Sequence, residues 1–491
     1  MALSRREFAG WFGLAASTLL VRPWPAHATG KAIEDTFLND AFLLETSFGK
    51  TLYHDHASKL PVIDYHSHLP PDEIASNKKF GNITQIWLAG DHYKMRLMRA
   101  NGVEERFITG DAPDYDKFLK WAETLQYAPM SPLYYWSHLE LKRYFSIQKI
   151  LSPSTAKEIY AAANEQLNTD GFRVQQLLKK MNVEVVCTTD DPADNLKFHK
   201  ELSGKGVFPA WRPDKVMNVG KPQEYNQYLD KLSGTSGISI KGFDDLTAAL
   251  RKQQKLFLSL GCKLSDNGIE NFFAEEVSKS ETDSLFRRVR SGETLNAPEI
   301  SKLKSSILFE LASLNHEANW VQQFHFGALR NNNSTMFERI GPDKGFDSIG
   351  DISIARPLAA FLDRLTRSNK LAKSVFYNLN PSDNDIVATM IANFNTGNLQ
   401  FGAAWWFSDQ KTGIEKQLDT LANQGLLGRF IGMTTDSRSF LSYPRHEFFR
   451  RVLCNKIGQD VSKGLLPNDV KWLGEVVTGI CYGNAKGFFG F

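Results

Sequence analysis

Cysteine is scarce in this chain, and no two cysteines stand close enough to form a metal-binding pair. The four residues, Cys187, Cys262, Cys454 and Cys481, are widely spaced and form no C-x-x-C motif, so a zinc site built from thiolates is unsupported. Two disulfides are possible by number, but cysteine is among the residue types most often buried in protein cores. We therefore interpret all four as buried free thiols.

Clusters of one charge sign are absent as well. The 58 Lys and Arg residues against 55 Asp and Glu leave a formal net charge of +3, and no basic block stands out. Nucleic acid is therefore not an expected partner. With 42% hydrophobic and 23% charged residues among 491, the composition is typical of a globular enzyme. The length fits one large domain with insertions, or two to three smaller domains.

The apolar run near the N-terminus, residues 11–21, is too short to span a bilayer. It follows residues 4–8 (SRREF), which resemble the twin-arginine export signature, and it precedes an A-x-A cleavage site at residues 26–28. We therefore predict a signal peptide over residues 1–28 and a mature periplasmic protein without a stable membrane anchor. The alternatives are an amphipathic first helix that stays on the protein, and a cytoplasmic protein.

Short apolar runs alternate with longer helical patterns over the rest of the chain. Eight strands are predicted, at residues 61–66, 183–189, 206–212, 257–264, 320–326, 374–379, 399–405 and 430–435. Alternating strands and helices favour an α/β fold with a parallel sheet, and eight such units favour a (β/α)8 TIM-type barrel. Residues 29–491 are thus predicted to form one barrel domain, with a doubly wound open sheet as the alternative.

Two of the predicted connections are unusually long. The first, residues 69–182, shows mostly helical patterns. Loops that follow the strands of a barrel build its active-site face, so this insertion should cover the mouth of the barrel. A second insertion is predicted over roughly residues 265–319, after the fourth strand. Helices outside the first insertion are predicted at residues 270–289, 301–320, 354–369 and 413–424.

Asp64, His66 and His68 alternate along the first predicted strand and its end. Residues at i, i+2 and i+4 of a strand point to one face. Two imidazoles on one face at the C-terminal end of a barrel strand can bind one metal ion, and neutral histidine nitrogens suit zinc and other first-row metals. Two surface or packing histidines are the alternative interpretation, because H-x-H alone is a weak signal.

A carboxylate and a guanidinium follow the eighth predicted strand. Asp436 would face the same end of the barrel, where it could reach a metal or act as a general base. Arg438, two residues later, could hold a substrate oxygen or carboxylate in a bidentate contact. The alternative is ordinary turn chemistry, with a turn aspartate and a solvated arginine.

Further polar residues follow other predicted strands. His325 lies near the end of the fifth strand, and Arg330 with three asparagines (residues 331–333) comes just after it. Arg212 ends the third strand. These residues fit a polar pocket, although a loop rich in turn formers is an equally good reading of residues 330–333. His92, in the long insertion, would by itself be taken as a surface histidine.

Taken together, these segments resemble those of the uronate isomerases, in the same order along the chain. The matching segments are residues 63–69 (IDYHSHL), 90–94 (GDHYK), 187–192 (CTTDDP), 211–215 (WRPDK), 327–333 (GALRNNN), 435–440 (TDSRSF) and 443–447 (YPRHE). The resemblance runs from about residue 33 to the end of the chain. The uronate isomerases in turn belong to the amidohydrolase superfamily.

The resemblance implies interconversion of D-glucuronate with D-fructuronate, and of D-galacturonate with D-tagaturonate. It implies one divalent metal per chain, which we expect to be Zn2+, held by His66, His68 and Asp436. It also implies a hexuronate substrate and a homo-oligomeric assembly. The positions that match the substrate site of the family are His92, Tyr93, Arg212, Arg330 and Arg438, with Asp266 at an acidic position after the fourth strand and His325 as a further candidate.

Two departures from the related hydrolases bear on the chemistry. Many of them carry a lysine on the fourth strand that bridges two metal ions. The side chain of Lys263 is expected on the opposite face of the strand from Leu264 and not at the metal. This favours one metal. The usual Ser-Asp-His-Gly run has Asn267 in place of the histidine. Because an amide neither gains nor loses a proton near neutral pH, this substitution argues against an acid–base role at this position.

The expected mechanism is proton transfer between C2 and C1 through a cis-enediol, with Asp436 as the base at C2. Tyr93 and Arg438 would stabilise the enediolate, and His92 would take part in proton transfer. One alternative is a metal-dependent hydrolase on the same barrel, which would need an activated water. The other is a non-catalytic, exported uronate-binding protein.

Overall fold

The computed structural model describes residues 37–394 and 397–491. The predicted signal peptide at residues 1–28 lies outside the described residues. In the part that is described, no helix combines the length and the apolar character needed to span a bilayer. All four cysteines are free thiols, with Cys481 only partly buried and the other three fully buried.

Seven parallel strands lie side by side in chain order. They are β1 (Val62–Asp64), β2 (Val183–Cys187), β3 (Val207–Phe208), β4 (Leu264–Gly268), β5 (Val321–Phe326), β6 (Ser374–Asn378) and β7 (Leu399–Phe401). Ladders pair β1 with β2 and β2 with β3, and they connect β4 through β7. Trp211 joins the two groups through parallel bridges to Asp190 and Ser265.

The eighth segment of the barrel, residues 430–437, runs beside the chain that leaves β1. Asp436 N donates to His66 O at 3.2 Å, and His68 N donates to Ser437 O at 2.9 Å. The segment forms no regular strand, because it pairs through single bonds and a turn at Asp436 instead of a continuous ladder. The predicted α/β fold is confirmed, and the eight segments follow the order of a (β/α)8 barrel.

Asp64 fixes the eighth segment to β1. Its carboxylate accepts hydrogen bonds from Thr434 Oγ1 at 2.7 Å and from Thr435 N and Oγ1 at 2.8 and 2.6 Å. Burial raises the pKa of Asp64 although these hydrogen bonds act to lower it. The side chain is wholly buried, so its lone pairs depend on these donors. His66 lies two residues after Asp64, and Asp436 follows Thr435 directly. The contact between Asp64 and Thr435 therefore sets the distance between His66 and Asp436.

Helices cover the outside of the strands and form the long insertion. The α-helices before β2 are Ser47–Thr51, Pro71–Ala75, Ile83–Trp87, His92–Ala100, Asp114–Leu125, Pro132–Phe145, Ala156–Leu167 and Val174–Lys180. Those between β2 and β5 are Lys197–Glu201, Pro222–Ser236, Phe243–Ser259, Lys279–Arg290 and Ala297–Glu317. The remaining ones are Ser334–Ile340, Ala355–Arg367, Asn384–Ile391, Lys411–Gln424, Pro444–Ser462, Val470–Thr478 and Asn484–Phe489.

The insertion packs against the end of the barrel that carries Asp436. Ser439 Oγ donates to Ile86 O at 2.9 Å, and Tyr144 OH donates to Phe440 O at 2.9 Å. Arg143 forms a bidentate pair with Glu447 through contacts of 2.6 and 2.7 Å. These contacts hold the insertion over the segment that follows Asp436.

Several predicted boundaries are wrong, most clearly at the fourth strand. Residues 257–264 were expected to be extended, but the helix Phe243–Ser259 runs into them and β4 begins only at Leu264. The apolar run belongs to two elements: Phe257 is on the buried face of the helix, and Gly261 turns the chain at a φ of +82°. Asp266 therefore lies within β4 and not after it. The helix predicted at residues 270–289 begins only at Lys279.

We predict that Asp64→Ala lowers the free energy of unfolding by about 2–4 kcal/mol, because it leaves the two buried donors of Thr435 without an acceptor, whereas Thr434 Oγ1 keeps His66 O as an acceptor at 2.6 Å. Urea unfolding followed by circular dichroism measures this change. Asp111→Ala is the matched control, since Asp111 is exposed and has no side-chain partner among the described residues. A loss for Asp64→Ala no larger than that of the control would contradict the role given to this carboxylate.

Candidate active site

Three side chains converge where β1 and the eighth segment end. His66 Nε2 and His68 Nε2 both face Asp436 Oδ1, at 3.0 and 3.1 Å. Burial raises the pKa of Asp436, but the hydrogen bonds from both histidines lower it by more. The net result is a pKa well below its usual range. Burial lowers the pKa of His68 to about 4. The site therefore presents an ionised carboxylate beside a neutral imidazole.

This donor set fits a divalent cation. Each of His66, His68 and Asp436 offers one ligand atom, and these atoms all lie within 4.8 Å of one another. Two imidazole nitrogens and one carboxylate oxygen are the ligands that zinc accepts in catalytic sites, where a position stays open for substrate. The second nitrogen of His66, Nδ1, lies 3.9 Å from Asp266 Oδ2, beyond hydrogen-bond distance, and has no hydrogen-bond partner among the described residues.

A second group, His66, Asp266 and His325, also has the spacing of a metal site. It fits a cation less well, because the guanidinium of Arg212 already lies 3.1 Å from Asp266 Oδ2. The other oxygen of Asp266 is 2.6 Å from His325 Nδ1. Both oxygens of Asp266 are therefore engaged by other side chains, whereas Asp436 Oδ1 faces only the two histidines, so the group that contains Asp436 fits a cation better.

Asp266 lies below the floor of the site and organises the groups above it. Its side chain is fully buried. Burial raises its pKa, but Arg212 and the two neighbouring histidines lower it more, so the net shift is downward. His325 stacks on the ring of Tyr377 at a centroid distance of 4.1 Å. Burial lowers the pKa of His325, and its Nε2 atom has no hydrogen-bond partner among the described residues.

Arg212 is held on both sides. Asp214 Oδ2 accepts from Arg212 Nε at 2.7 Å, and Asp266 lies on the other side. Asp214 in turn accepts from Gly268 N at 2.9 Å. A Cβ atom on Gly268 would lie 2.7 Å from Arg212 Nη2 and 2.9 Å from Asp214 Oδ2. The close approach of this ion pair to the end of β4 therefore requires glycine.

Asp436 is aimed by its backbone and by Trp405. Its φ of +45° lies in the left-handed region, which a non-glycine residue rarely adopts. Trp405 Nε1 donates to Asp436 Oδ2 at 2.7 Å. Trp406, Asn331 and Asp343 also have positive φ values, between +51° and +59°. Strained residues of this kind concentrate at functional sites, where the surrounding structure holds them.

His92 and Tyr93 reach the site from the start of the helix His92–Ala100. Asp91 caps this helix, since its Oδ1 accepts from Tyr93 N at 2.9 Å and from Lys94 N at 3.1 Å. Lys94 Nζ lies 2.5 Å from the other oxygen of Asp91. The buried ion pair of Asp91 and Lys94 fixes the start of the helix, and with it the positions of His92 and Tyr93. His92 packs edge-on against Trp406 at 4.9 Å, and burial lowers its pKa.

Two arginines of the cavity wall pair with acidic residues of one loop. Arg438 Nη2 lies 3.1 Å from Asp343 Oδ2, and Arg330 Nη1 lies 3.3 Å from Asp347 Oδ2. Arg96 Nη1 donates to the backbone carbonyl of Asp347 at 2.8 Å. The loop that carries both aspartates is thus bound to the helix that carries His92.

A cavity of about 820 Å3 opens above these groups. It brings together most of the predicted site residues: His66, His68, His92, Arg212, His325, Arg330, Asp436 and Arg438. Tyr93 lines a small adjoining cavity with Asp409 and Asp436. Burial raises the pKa of Asp409 to about 7. Asp266 was predicted in the substrate site, but it lines neither cavity. It lies one layer beneath the cavity wall.

The comparison with known families covers nearly the whole described chain. The model of the glucuronate isomerase family matches residues 34–489. A uronate isomerase of Phocaeicola vulgatus is 50% identical over 465 residues, which is 93% of this chain and 99% of that protein. The uronate isomerase of Bacteroides thetaiotaomicron gives the same identity and coverage.

The chain belongs to the glucuronate isomerase family.

Solved structures agree with this membership. The uronate isomerase of Thermotoga maritima is 36% identical and has a TM-score of 0.88, with 92% of this chain and 99% of that chain covered. A glucuronate isomerase of Caulobacter crescentus shares the fold, with a TM-score of 0.85 at 24% identity and coverage of 91% and 96%. A metal-dependent hydrolase of Lactobacillus casei also shares the fold, with a TM-score of 0.52 at 15% identity and coverage of 91% and 98%.

Several wall residues of this isomerase were missed by the sequence analysis. Trp405 was predicted to end an apolar strand and Trp406, the next residue, was given no role, although two tryptophans at a strand terminus could have marked a site. Asp343 and Asp347 lie in a loop without any motif. Asn267, which replaces the usual histidine, donates through its side chain to Gln323 O at 3.0 Å. It thus connects β4 to β5 and does not face the cavity.

We predict that Gly268→Ala lowers kcat/KM of the isomerase by about 10–100-fold, because the added Cβ displaces Arg212 by a fraction of an ångström or more. The φ of Gly268 lies outside the left-handed region, so alanine fits the backbone and the fold should persist. Steady-state kinetics with circular dichroism checks both points. Gly234→Ala, where nothing lies within 4 Å of the new Cβ, should leave kcat/KM unchanged. Equal kinetics in the two variants would show that the Arg212 position is unimportant.

Proposed function

We propose that this isomerase converts D-glucuronate to D-fructuronate and D-galacturonate to D-tagaturonate, with Asp436 as the base. The observation that carries the proposal is one ionised carboxylate, bound by two histidines, at the floor of a cavity lined by Arg212, Arg330 and Arg438. The family membership of the chain supports the same reaction class. A sugar acid supplies both features that this cavity fits: an anionic end and a carbon acid beside a carbonyl.

The reaction moves one proton between carbons and one between oxygens. The carboxylate of Asp436 removes the proton from C2 of the open-chain aldose, and the electrons form a cis-enediol between C1 and C2. The carboxyl of Asp436, whose proton exchanges with solvent, delivers a proton to C1, while the hydroxyl proton of O2 is lost and O1 gains one, so the carbonyl moves from C1 to C2. The low pKa of Asp436 keeps this carboxylate ionised. Proton transfer by a positioned group contributes about 10²–10⁴-fold.

Tyr93, Arg438 and His92 surround the reacting carbons. Arg438 offers a permanent positive charge to the oxygen that becomes negative in the enediolate. Burial raises the pKa of Tyr93 well above its usual value, so its hydroxyl stays protonated and can donate a hydrogen bond. Burial lowers the pKa of His92, so its neutral ring can pass a proton between O1 and O2.

Arg212 and Arg330 orient the acid end of the substrate. Arg212 is fixed by Asp214 and Asp266 and can meet a carboxylate without reorganisation. Arg330 lies over the ring of Trp406 at 4.9 Å, which limits its motion. His325 completes the floor, with its free Nε2 as a candidate contact to a sugar hydroxyl. Holding both ends of the chain places C2 against Asp436.

We assign one Zn2+ to His66, His68 and Asp436. Such an ion, when bound, supplies a positive charge that holds the carboxylate or a hydroxyl of the sugar and stabilises negative charge. The side chain of Lys263 is not part of the cavity wall, which supports a single ion without a bridging ligand.

We also propose that residues 1–28 are an export signal. The support is the order of the twin-arginine-like motif, the short apolar run and the A-x-A site, together with a family match that begins at residue 34. N-terminal sequencing of the mature enzyme from a periplasmic fraction should give a start near Thr29. An enzyme recovered from the cytoplasm with residue 1 intact would remove this proposal.

A hydrolase on the same fold and a non-catalytic uronate-binding protein are the two competing functions. Both are separated from the isomerase by one experiment in heavy water. Only the isomerase forms the ketose and washes deuterium into C2 of recovered glucuronate. A hydrolase would cleave lactones or esters instead, and a binding protein would do neither.

We predict that Asp436→Asn lowers kcat by about 10²–10⁴-fold, because the amide cannot accept the C2 proton. His66 and His68 remain, so metal analysis should still detect zinc in the variant. Circular dichroism reports whether the fold is kept. Asp111→Asn, on the exposed surface, controls for the amide substitution. A variant at Asp436 that turns over at nearly the wild-type rate would rule out its role as the base.

We predict that dialysis against a strong chelator abolishes isomerisation and that one equivalent of Zn2+ restores it. Chelation would remove the cation held by His66, His68 and Asp436, and with it the positive charge that holds the sugar acid and stabilises negative charge. Elemental analysis before and after dialysis should show about one zinc per chain lost and regained. Full activity in a preparation free of metal would limit the three residues to a structural role.

A further inference from the structure

The cavity is larger than one hexuronate needs. A hexuronate has about 13 non-hydrogen atoms, and even if each required the ~30 Å3 of a whole water molecule, the sugar acid would fill about 390 Å3. The cavity measures about 820 Å3. More than half of it is therefore left over when the groups at the floor hold a single sugar acid.

Part of the cavity lies on the side of β3 and β4. Its wall is formed by residues that follow these strands, Lys215, Asn218, Glu270 and Phe273, and by Lys304. Lys304 belongs to the helix Ala297–Glu317, which packs outside the strands. This end of the cavity is thus built by other elements than those that carry His66 and Asp436. We call it the outer chamber.

Lys304 is a cation without an ion-pair partner among the described residues, although the more distant carboxylate of Glu270 acts to raise its pKa. Its Nζ lies 5.0 Å from the ring centroid of Phe273. Across residues 37–394 and 397–491, no carboxylate oxygen comes within the 4.0 Å of an ion pair with it, whereas Lys215 is paired with Asp191 at 3.0 Å. The side chain is partly buried, and this burial lowers its pKa. An anionic group of a ligand would restore the solvation that Lys304 has lost.

Phe273 adds an apolar surface beside this charge. It is only partly buried and forms part of the cavity wall. An aromatic face next to a cation suits a sugar ring that carries a carboxylate, because the ring can pack on the face while the carboxylate meets the ammonium.

The proposed reaction leaves room for a substituent at only one part of the substrate. C1 and C2 lie at Asp436, and the carboxylate at C6 is held by arginine or metal. Ring opening requires a free O1 and a free O5. A further sugar can therefore be attached only to a middle hydroxyl, such as O4, and it would leave the floor toward the outer chamber.

We propose that the outer chamber binds a second uronate unit, so that the enzyme isomerises the reducing end of a 4-linked diuronide or short oligouronide. This inference rests on the proposed function and extends it to a larger substrate class. The second ring packs on Phe273, and its carboxylate pairs with Lys304. No bond between the sugars is broken, and the proton transfers at the reducing end are those given above.

The test compares galacturonate with 4-linked digalacturonate as substrates of the holoenzyme, with ketose formation followed by NMR in heavy water. The wild type should isomerise the reducing unit of the disaccharide. Lys304→Gln should raise KM for the disaccharide about tenfold or more, the loss expected for a charge-assisted contact, and Phe273→Ala should do likewise. Both should leave galacturonate kinetics within about twofold, which also shows that the variants fold.

Lys302→Gln is the matched control. Lys302 lies on the same helix two residues away but pairs with Glu281 at 2.7 Å on the outside, so its loss should affect neither substrate. Turnover of galacturonate without turnover of digalacturonate would overturn the inference alone. Equal effects of Lys304→Gln on both substrates would overturn it too. Failure with galacturonate, glucuronate and the disaccharide would instead refute the proposed function, and this extension with it.

Discussion

The site depends on one seam of the barrel, where the first and last segments meet. Asp64 closes this seam by accepting three hydrogen bonds from Thr434 and Thr435. His66 and Asp436 follow directly on the two sides, so the distance between a histidine nitrogen and a carboxylate oxygen is set by backbone neighbours. A buried carboxylate without these donors would cost several kcal/mol. The polar contact that closes the barrel is therefore also the contact that brings together the side chains proposed to bind the metal.

Below the donors, buried charges are arranged so that each side chain keeps one orientation. Asp266 lies among Arg212, His66 and His325 and is held ionised by them. Breaking such a group by removing one partner is costly, because it leaves a charge uncompensated in the interior. The floor of the cavity is consequently rigid before substrate arrives. The proposed reaction, in which C2 is placed against one oxygen of Asp436, requires such rigidity.

The long insertion has a different role, because it brings to the site side chains that the barrel strands do not carry. Asp91 caps the helix that begins with His92 and Tyr93, and a loop with Asp343 and Asp347 is bound to the same helix. Positive φ values at Asp343 and Asp436 show that the backbone is strained where these elements meet. The strain is supported by the buried contacts on either side.

Local patterns in the sequence were enough to predict the alternation of strands and helices, the histidine pair and the motif order, because periodicity and short motifs are local properties of the chain. The same patterns misplaced β4, since the apolar run of residues 257–264 serves both a helix face and a strand. The folded chain was needed to show that Asp266 lies beneath the site, that Trp405 donates a hydrogen bond to Asp436, and that Lys304 lines the cavity. These facts depend on long-range packing between elements distant in sequence, which no local pattern contains.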